Sequence, residues 1–241
     1  YAGEGDALLR QAVGMVATLA LRAAEERGRF TLVLAGGNTP RKFHRLLAGE
    51  AETGQPAIPW QKTLLFQGDE RYVPRDHPDN NWNMVEQSLL GTRSMPTEGR
   101  FPIPVDSGSA ETDALRYEAM LRKVFEQSGD MQDGFPVFDL ILLGLGDDGH
   151  TASLFPSNRR ALDETSRWVI AVDQPDAMPT GSRITLTLPV INHARNIIFI
   201  VPSSRAGLAR AIHEGERSDL PAGKIRPQNG KPFWFLAGGN P

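Results

Sequence analysis

A chain of 241 residues, 40% hydrophobic and 23% charged, is long enough to bury a sizeable core and too ordinary in composition for disorder. Its 29 acidic against 26 basic residues give a formal charge of -3, which argues against a general nucleic-acid binder but leaves room for a local anion site. The absence of cysteine removes disulfides, thiolate nucleophiles and cysteine-ligated metals, and is compatible with a reducing compartment.

From Ala7 to Glu26, apolar residues such as Leu8, Leu9, Val13, Val16, Leu19 and Ala20 recur at helical spacing. Asp6 stands where an N-cap belongs and Gly28 supplies the stop. Asp6, Arg10, Glu25, Glu26 and Arg27 interrupt the apolar residues, so neither a signal peptide nor a membrane-crossing run is expected. The expectation is a soluble, cytoplasmic protein, monomer or homodimer, with no membrane or nucleic-acid partner.

Phe30-Thr31-Leu32-Val33-Leu34-Ala35 reads as a buried strand, turning through Gly36-Gly37-Asn38-Thr39-Pro40 into a helix with Phe43, Leu46 and Leu47. Thr63-Leu64-Leu65-Phe66 repeats the strand pattern and is followed by Gly68-Asp69-Glu70-Arg71, a polar loop, and a helix near Trp82 to Leu90. The residues from Met95 to Gly108 read as a surface connection, and those from Ala110 to Gln127 as a helix. Phe138-Asp139-Leu140-Ile141-Leu142-Leu143 is the clearest strand. Later runs are Trp168 to Val172, Ile184 to Leu188, Asn196 to Val201 and Phe233 to Leu236, with a helix through Leu208 and Ile212. Apolar strands alternating with helices imply one α/β domain over residues 1–241, a mainly parallel sheet with helices on both faces. In such sheets ligands gather at the carboxyl ends of the strands, and three of these strands end in unusual polar sequences.

The first is Gly36-Gly37-Asn38-Thr39, where two glycines permit close approach of a ligand and the following helix offers free N–H groups. Asn38 or Thr39 is a candidate cap for that helix, and a plain strand-to-helix turn explains the same residues equally well. The second is Asp69-Glu70-Arg71: an arginine fork suits a phosphate, and the carboxylates suit sugar hydroxyls or the arginine itself. Taken alone, it reads more readily as a solvated charge cluster. The third is Gly144-Leu145-Gly146-Asp147-Asp148-Gly149-His150, which sets a histidine at or near an expected helix start, with Asp148 near enough to orient it. Ser153 lacks the G-x-S-x-G setting of a covalent nucleophile, and the five histidines lack metal-ligand spacing, so no metal or cofactor is expected. Arg183 and Arg205 stand at edges of expected elements, where either can add a cation to an anion pocket or simply face solvent.

Together, Asp69-Glu70-Arg71 with Val73-Pro74 and Asp79-Asn80-Asn81, and Gly146 through Pro156, closely resemble the 6-phosphogluconolactonase family. That family lies in a wider group with glucosamine-6-phosphate deaminase and ribose-5-phosphate isomerase. The resemblance runs from the first helix to Phe235 and implies a Rossmann-like fold. Deaminases typically continue the Asp-Gly-His core as H-I-A-F-N-E-P, whereas His150-Thr151-Ala152-Ser153-Leu154-Phe155-Pro156 looks like the lactonase branch. A Gly-x-x-Lys pattern of the family is Pro202-Ser203-Ser204-Arg205 here, and Ala237 stands where an Asp is common. The resemblance implies a sugar-phosphate lactone as substrate, with His150 as general base and Asp148 as its partner. It implies substrate binding by Gly36, Gly37, Asn38, Thr39, Asp69, Glu70, Arg71, Asn81, Arg183 and Arg205. A deaminase or isomerase of the same fold, or a non-catalytic sugar-phosphate sensor, stays open as an alternative.

Overall fold

The computed structural model describes residues 5–49, 57–92, 95–174, 181–228 and 230–237. Helix α1 (Gly5–Glu26) opens the chain, so that Asp6 lies inside its first turn rather than at its cap. Gly28, at φ +74°, ends it as expected. Buried Leu9, Ala12, Val16, Ala20 and Ala23 form a helical stripe of mostly small side chains that lets α1 lie close on the sheet. Despite its charges, Ala7–Glu26 contains a window of mean hydropathy 1.3, long and apolar enough to cross a membrane by composition alone. Here that apolarity is spent on the core.

Strand β1 (Phe30–Leu34) leads to α2 (Asn38–Ala48), then β2 (Thr63–Gln67), β3 (Asp69–Arg71) and α3 (Asn81–Ser88). Next come β4 (Arg100–Phe101), α4 (Ala110–Ser128), the small hairpin of β5 (Met131–Gln132) and β6 (Phe135–Pro136), and β7 (Leu140–Leu143). The chain continues through α5 (Arg159–Leu162), β8 (Val169–Gln174), β9 (Gly181–Leu186), α6 (Leu188–Asn192), β10 (Asn196–Pro202), α7 (Ala206–His213) and β11 (Phe233–Ala237).

Six strands form one sheet in the order β11-β10-β7-β1-β2-β4, every neighbouring pair parallel. Counted among themselves, these strands run 3-2-1-4-5-6, the Rossmann order. Their near-continuous apolar sequences follow from burial on both faces. Leu32, Leu34, Leu65, Leu140, Leu142, Ile198 and Ile200 pack with α1, α2 and α3. The alternating Val33, Phe66, Ile141, Leu143, Ile197 and Phe199 pack with α4, α6, α7 and a second sheet.

That second sheet, β3-β9-β8, is antiparallel, and it departs from the sequence reading in three ways. Asp69-Glu70-Arg71 is a strand where a solvated charge cluster is the readier expectation, β8 and β9 do not join the main sheet, and Leu188 begins a helix. Apolar periodicity reports burial and not the pairing partner, so the second sheet was invisible in it. The connection from Met95 likewise contains β4, an edge strand of two residues, too short for any pattern.

Candidate active site

The carboxyl ends of β1, β2, β7 and β10 open on a crevice of about 780 Å³. It lies where the connections from β1 and β7 diverge to opposite sides of the sheet, the position at which such sheets bind ligands.

After β1 the chain turns at Gly36 and Gly37. A side-chain carbon on Gly36 would stand 2.0 Å from Asn81 Oδ1, so the missing Cβ is what admits Asn81. Gly37, at φ +98°, is the N-cap of α2 and offers no side-chain acceptor. Asn38 and Thr39, expected as caps, instead form the first helical turn, and Pro40 follows where an N–H would have been orphaned anyway. The amides of Asn38 and Thr39 and the positive end of the helix are thereby left uncapped, and all of Gly36 to Pro40 lines the crevice.

The antiparallel sheet brings Arg71 of β3 directly opposite Arg183 of β9. Like charges facing each other across a ladder repel, and Arg183 is only 4% exposed. Burial, and then the neighbouring Arg71, hold the Arg183 guanidinium below its usual range. Arg71 Nη1 donates to the carbonyl of Asp79 at 3.2 Å and to Asn81 Oδ1, and Arg183 Nη1 donates to the carbonyl of Gly181 at 3.0 Å. Asn81 Nδ2 in turn donates to the carbonyl of Asp69 at 3.0 Å. The Asp69 carboxylate accepts from Ser153 Oγ at 2.7 Å, and both residues line the crevice.

Glu70 corrects the sequence reading. It is wholly buried and lies outside the crevice lining. Its oxygens accept from Gln67 Nε2 at 2.7 Å and from the main-chain N–H groups of Arg71 (2.8 Å), Asn81 (2.6 Å) and Trp82 (2.9 Å). Burial pushes this carboxyl up to about 7, against those hydrogen bonds, which favour its ionised form.

After β7, the turn Gly144 to Gly149 folds His150 back over Gly146. Gly146 N–H donates to the carbonyl of His150 at 2.8 Å, and a Cβ on Gly146 would fall 2.1 Å from His150 Nδ1. His150 Nδ1 lies 2.6 Å from Asp148 Oδ1, which also accepts the His150 main-chain N–H at 3.0 Å. Bonded so to a carboxylate, Nδ1 carries the proton and leaves the Nε2 lone pair for chemistry. Phe155 packs against the imidazole with ring centroids 4.6 Å apart. No helix begins at His150, contrary to expectation. Thr151 to Leu154 form a tight turn closed by a single bridge, with Ala152 at φ +48°. Three glycines suit a sharp loop, and that loop runs on into a second turn where a helix start is expected. Arg205 Nε and Nη2 grip Asp147 bidentately at 2.5 and 2.7 Å and hold its carboxyl below the usual range.

The crevice therefore gathers Gly36, Gly37, Asn38, Thr39, Asp69, Arg71, Asn81, Asp148, His150, Arg183 and Arg205 from the sequence-derived set. It adds Ser153, Gln174 and Ser157, of which Gln174 Nε2 donates to Ser157 Oγ at 3.1 Å. Ser153 stands in the histidine motif, where its residue type raises only the question of a nucleophile; Gln174, at the end of an ordinary apolar strand, carries no signal. Ala237 ends β11 beside Pro202 and is outside the lining. Among the described residues, no group of three His, Asp or Glu side chains is placed to hold a metal ion.

Residues 3–234 match the family described as glucosamine-6-phosphate isomerases/6-phosphogluconolactonase. The chain belongs to this family. Within it, the chain is 40% identical over 232 residues to the 6-phosphogluconolactonase of Synechocystis sp., covering 95% of this chain and 90% of the relative. Identity to the human 6-phosphogluconolactonase is 36% over 232 residues, 95% of this chain and 86% of that one. The 6-phosphogluconolactonase structure from Thermotoga maritima superposes with a TM-score of 0.83 at 27% identity, over 99% of this chain and 98% of the other. That from Trypanosoma brucei gives 0.77 at 27% identity, over 97% and 93%. The family's Rossmann-like architecture and this chain's sheet order agree.

Proposed function

We propose that this protein hydrolyses 6-phospho-D-glucono-1,5-lactone to 6-phospho-D-gluconate in the cytoplasm, with His150 as general base. The observation that carries the reading is the His150–Asp148 pair, 2.6 Å apart, in the same crevice as the Arg71–Arg183 pair and the uncapped start of α2. A sugar lactone with a phosphate at its far end needs both: an anchor for the dianion and a base for water.

In this reading the two guanidiniums and the amides of Asn38 and Thr39 take the phosphate, and Asp69, oriented by Ser153, accepts from a sugar hydroxyl. Anchoring fixes the lactone carbonyl relative to His150, so that binding energy remote from the ester is used at the ester. His150 Nε2 takes a proton from water as its oxygen attacks C1, giving a tetrahedral oxyanion. The C1–O5 bond then breaks, and the imidazolium returns that proton to O5. The new carboxylic acid ionises, releasing one proton to solvent. Asp148 steadies the imidazolium while it lasts.

The test is lactone hydrolysis, with the substrate generated in place from glucose 6-phosphate at mildly acidic pH to slow the uncatalysed background. His150→Asn is expected to reduce kcat by ~100- to 10,000-fold with the fold intact, the usual contribution of general-base catalysis. Unchanged turnover in that variant removes His150 from the mechanism. If the wild type does not accelerate the reaction, the lactonase reading fails.

A further inference from the structure

The buried carboxylate of Glu70 has no place in the mechanism above, although three of its hydrogen bonds go to the chain that carries the anion site. On the Oε1 side it accepts the main-chain N–H of Arg71 at 2.8 Å and of Asn81 at 2.6 Å. On the Oε2 side it accepts Trp82 N–H at 2.9 Å and Gln67 Nε2 at 2.7 Å. Asn81 and Trp82 are the first two residues of α3, whose amides no intrahelical acceptor can serve. Asn80, the N-cap, meets a later donor, the N–H of Asn83 at 2.9 Å. Glu70 therefore completes the cap from a neighbouring strand.

The side chains of the two residues whose N–H groups share Oε1 are bonded to each other, Arg71 Nη1 to Asn81 Oδ1. Both line the crevice. Gln67 is itself fixed: its Oε1 accepts the N–H of Ile103 at 2.7 Å, and its backbone exchanges two hydrogen bonds of 3.0 Å with the Tyr117 hydroxyl. The chain Tyr117–Gln67–Glu70–α3 is buried and polar throughout, so its geometry is set by packing from α4 across to the anion site.

We infer that Glu70 is a positioning residue: it holds the main chains of Arg71 and Asn81 so that their bonded side chains present one preformed donor set to the substrate phosphate. The inference deepens the lactonase reading and rests on it for the identity of the anion. Glu70 touches no substrate in this assignment; its effect runs wholly through Arg71 and Asn81.

Replacing Glu70 by Gln tests this at constant size. Either orientation of the new amide sets an NH2 group against two donors, Arg71 and Asn81 on one side or Trp82 and Gln67 on the other. Both sides hold the first turn of α3, so both disturb the pair. Inorganic phosphate, titrated calorimetrically, reports the anion site without turnover. Glu70→Gln is expected to weaken phosphate binding and raise KM for the phosphorylated lactone about 10- to 100-fold, the scale of one hydrogen bond to a charged group, while kcat moves far less. Turnover of unphosphorylated glucono-1,5-lactone is expected to fall much less than that of the phosphorylated substrate.

A purely structural role is separated by a double-mutant cycle. In a background carrying both Arg71→Ala and Asn81→Ala, Glu70→Gln should change phosphate affinity less than about twofold, because the side chains through which Glu70 acts are gone. An equal loss in both backgrounds, or unchanged phosphate affinity in the single variant, overturns the inference. Where Glu70→Gln does not fold, Glu70→Asp keeps an acceptor-only carboxylate with a shorter reach and carries the same cycle. If the wild type binds phosphate but opens no lactone, the proposed function fails while the cycle still decides the role of Glu70.

Discussion

Gly146 gives the sharpest handle on the histidine. Its φ lies outside the left-handed region, so alanine there costs nothing in backbone strain, and any effect must come through the added methyl group. That methyl would sit 2.1 Å from His150 Nδ1, 2.2 Å from Cε1 and 2.7 Å from Cγ. Carbon and nitrogen pack at roughly 3.5 Å, so the imidazole must retreat by more than about an ångström. The bond to Asp148 is 2.6 Å long and does not survive such a shift, which would cost ~1.5–3 kcal/mol as a hydrogen bond to a charged group. A misplacement of that size costs on the order of 100-fold in rate. Gly146→Ala should thus lower kcat by about 100-fold with little change in KM or in phosphate affinity, since the methyl contacts His150 and not the arginine pair. The assay is steady-state lactone hydrolysis, with thermal unfolding as the check on the fold. A variant with kcat within about twofold of wild type would refute the placement of His150 and with it the base assignment.

Two other expectations follow from buried cations and orphaned nitrogens. Arg183→Ala should raise KM for the phosphorylated lactone by at least about tenfold and reduce the stabilisation expected from inorganic phosphate in wild type, read as the phosphate-dependent rise in Tm. An undiminished rise in Tm counts against Arg183 as an anion ligand. His44 of α2 is wholly buried with neither ring nitrogen hydrogen-bonded, and burial lowers its pKa from 6.5 to about 3. Its neutral form is favoured only in the folded state, so its contribution to stability is complete above about pH 6.5 and declines as pH falls from there towards 3. At pH 5 the loss is about 2 kcal/mol. Urea unfolding at pH 7 and pH 5 should show that loss in wild type and not in His44→Leu; parallel losses in the two proteins would exclude it.

The sequence was legible where one physical cause writes one pattern. Burial on both faces made β1, β2, β7 and β10 read as continuous apolar runs, and glycine needed for a close approach marked the turns at Gly36 and Gly146. What it did not carry was pairing. Arg71 and Arg183 lie 112 positions apart and face each other only because β3 and β9 form a sheet of their own. Arg71 belongs to a charge cluster that suits a phosphate and Arg183 stands at a strand edge, but nothing in the sequence sets the two side by side. Glu70 misleads for the related reason that a carboxylate between two crevice residues alternates to the opposite face of a strand, and three consecutive charges carry no strand signal. Gln174 and Ser157 carry ordinary side chains in ordinary contexts, and only the fold brings them to the site.

The arginines of the crevice divide by what holds them. Asp147 neutralises Arg205 with a bidentate grip, and at the amino end of the sheet Asp130 and Asp139 do the same for Arg27, Arg29 and Arg195. A substrate phosphate must displace a carboxylate to use Arg205 fully. Arg71 instead donates to the carbonyl of Asp79 and the amide of Asn81, both neutral oxygens, while Arg183 donates to the carbonyl of Gly181 and has the Asp69 and Asp79 carboxylates near enough to favour its charge. In the proposed function a dianion arriving between Arg71 and Arg183 relieves the repulsion of two facing guanidiniums, which offsets part of its desolvation. In the proposed function the β3–β9 pair contributes to phosphate binding, and Arg205 also touches the histidine-bearing loop, where Nη1 donates to the carbonyl of Leu145 at 2.5 Å.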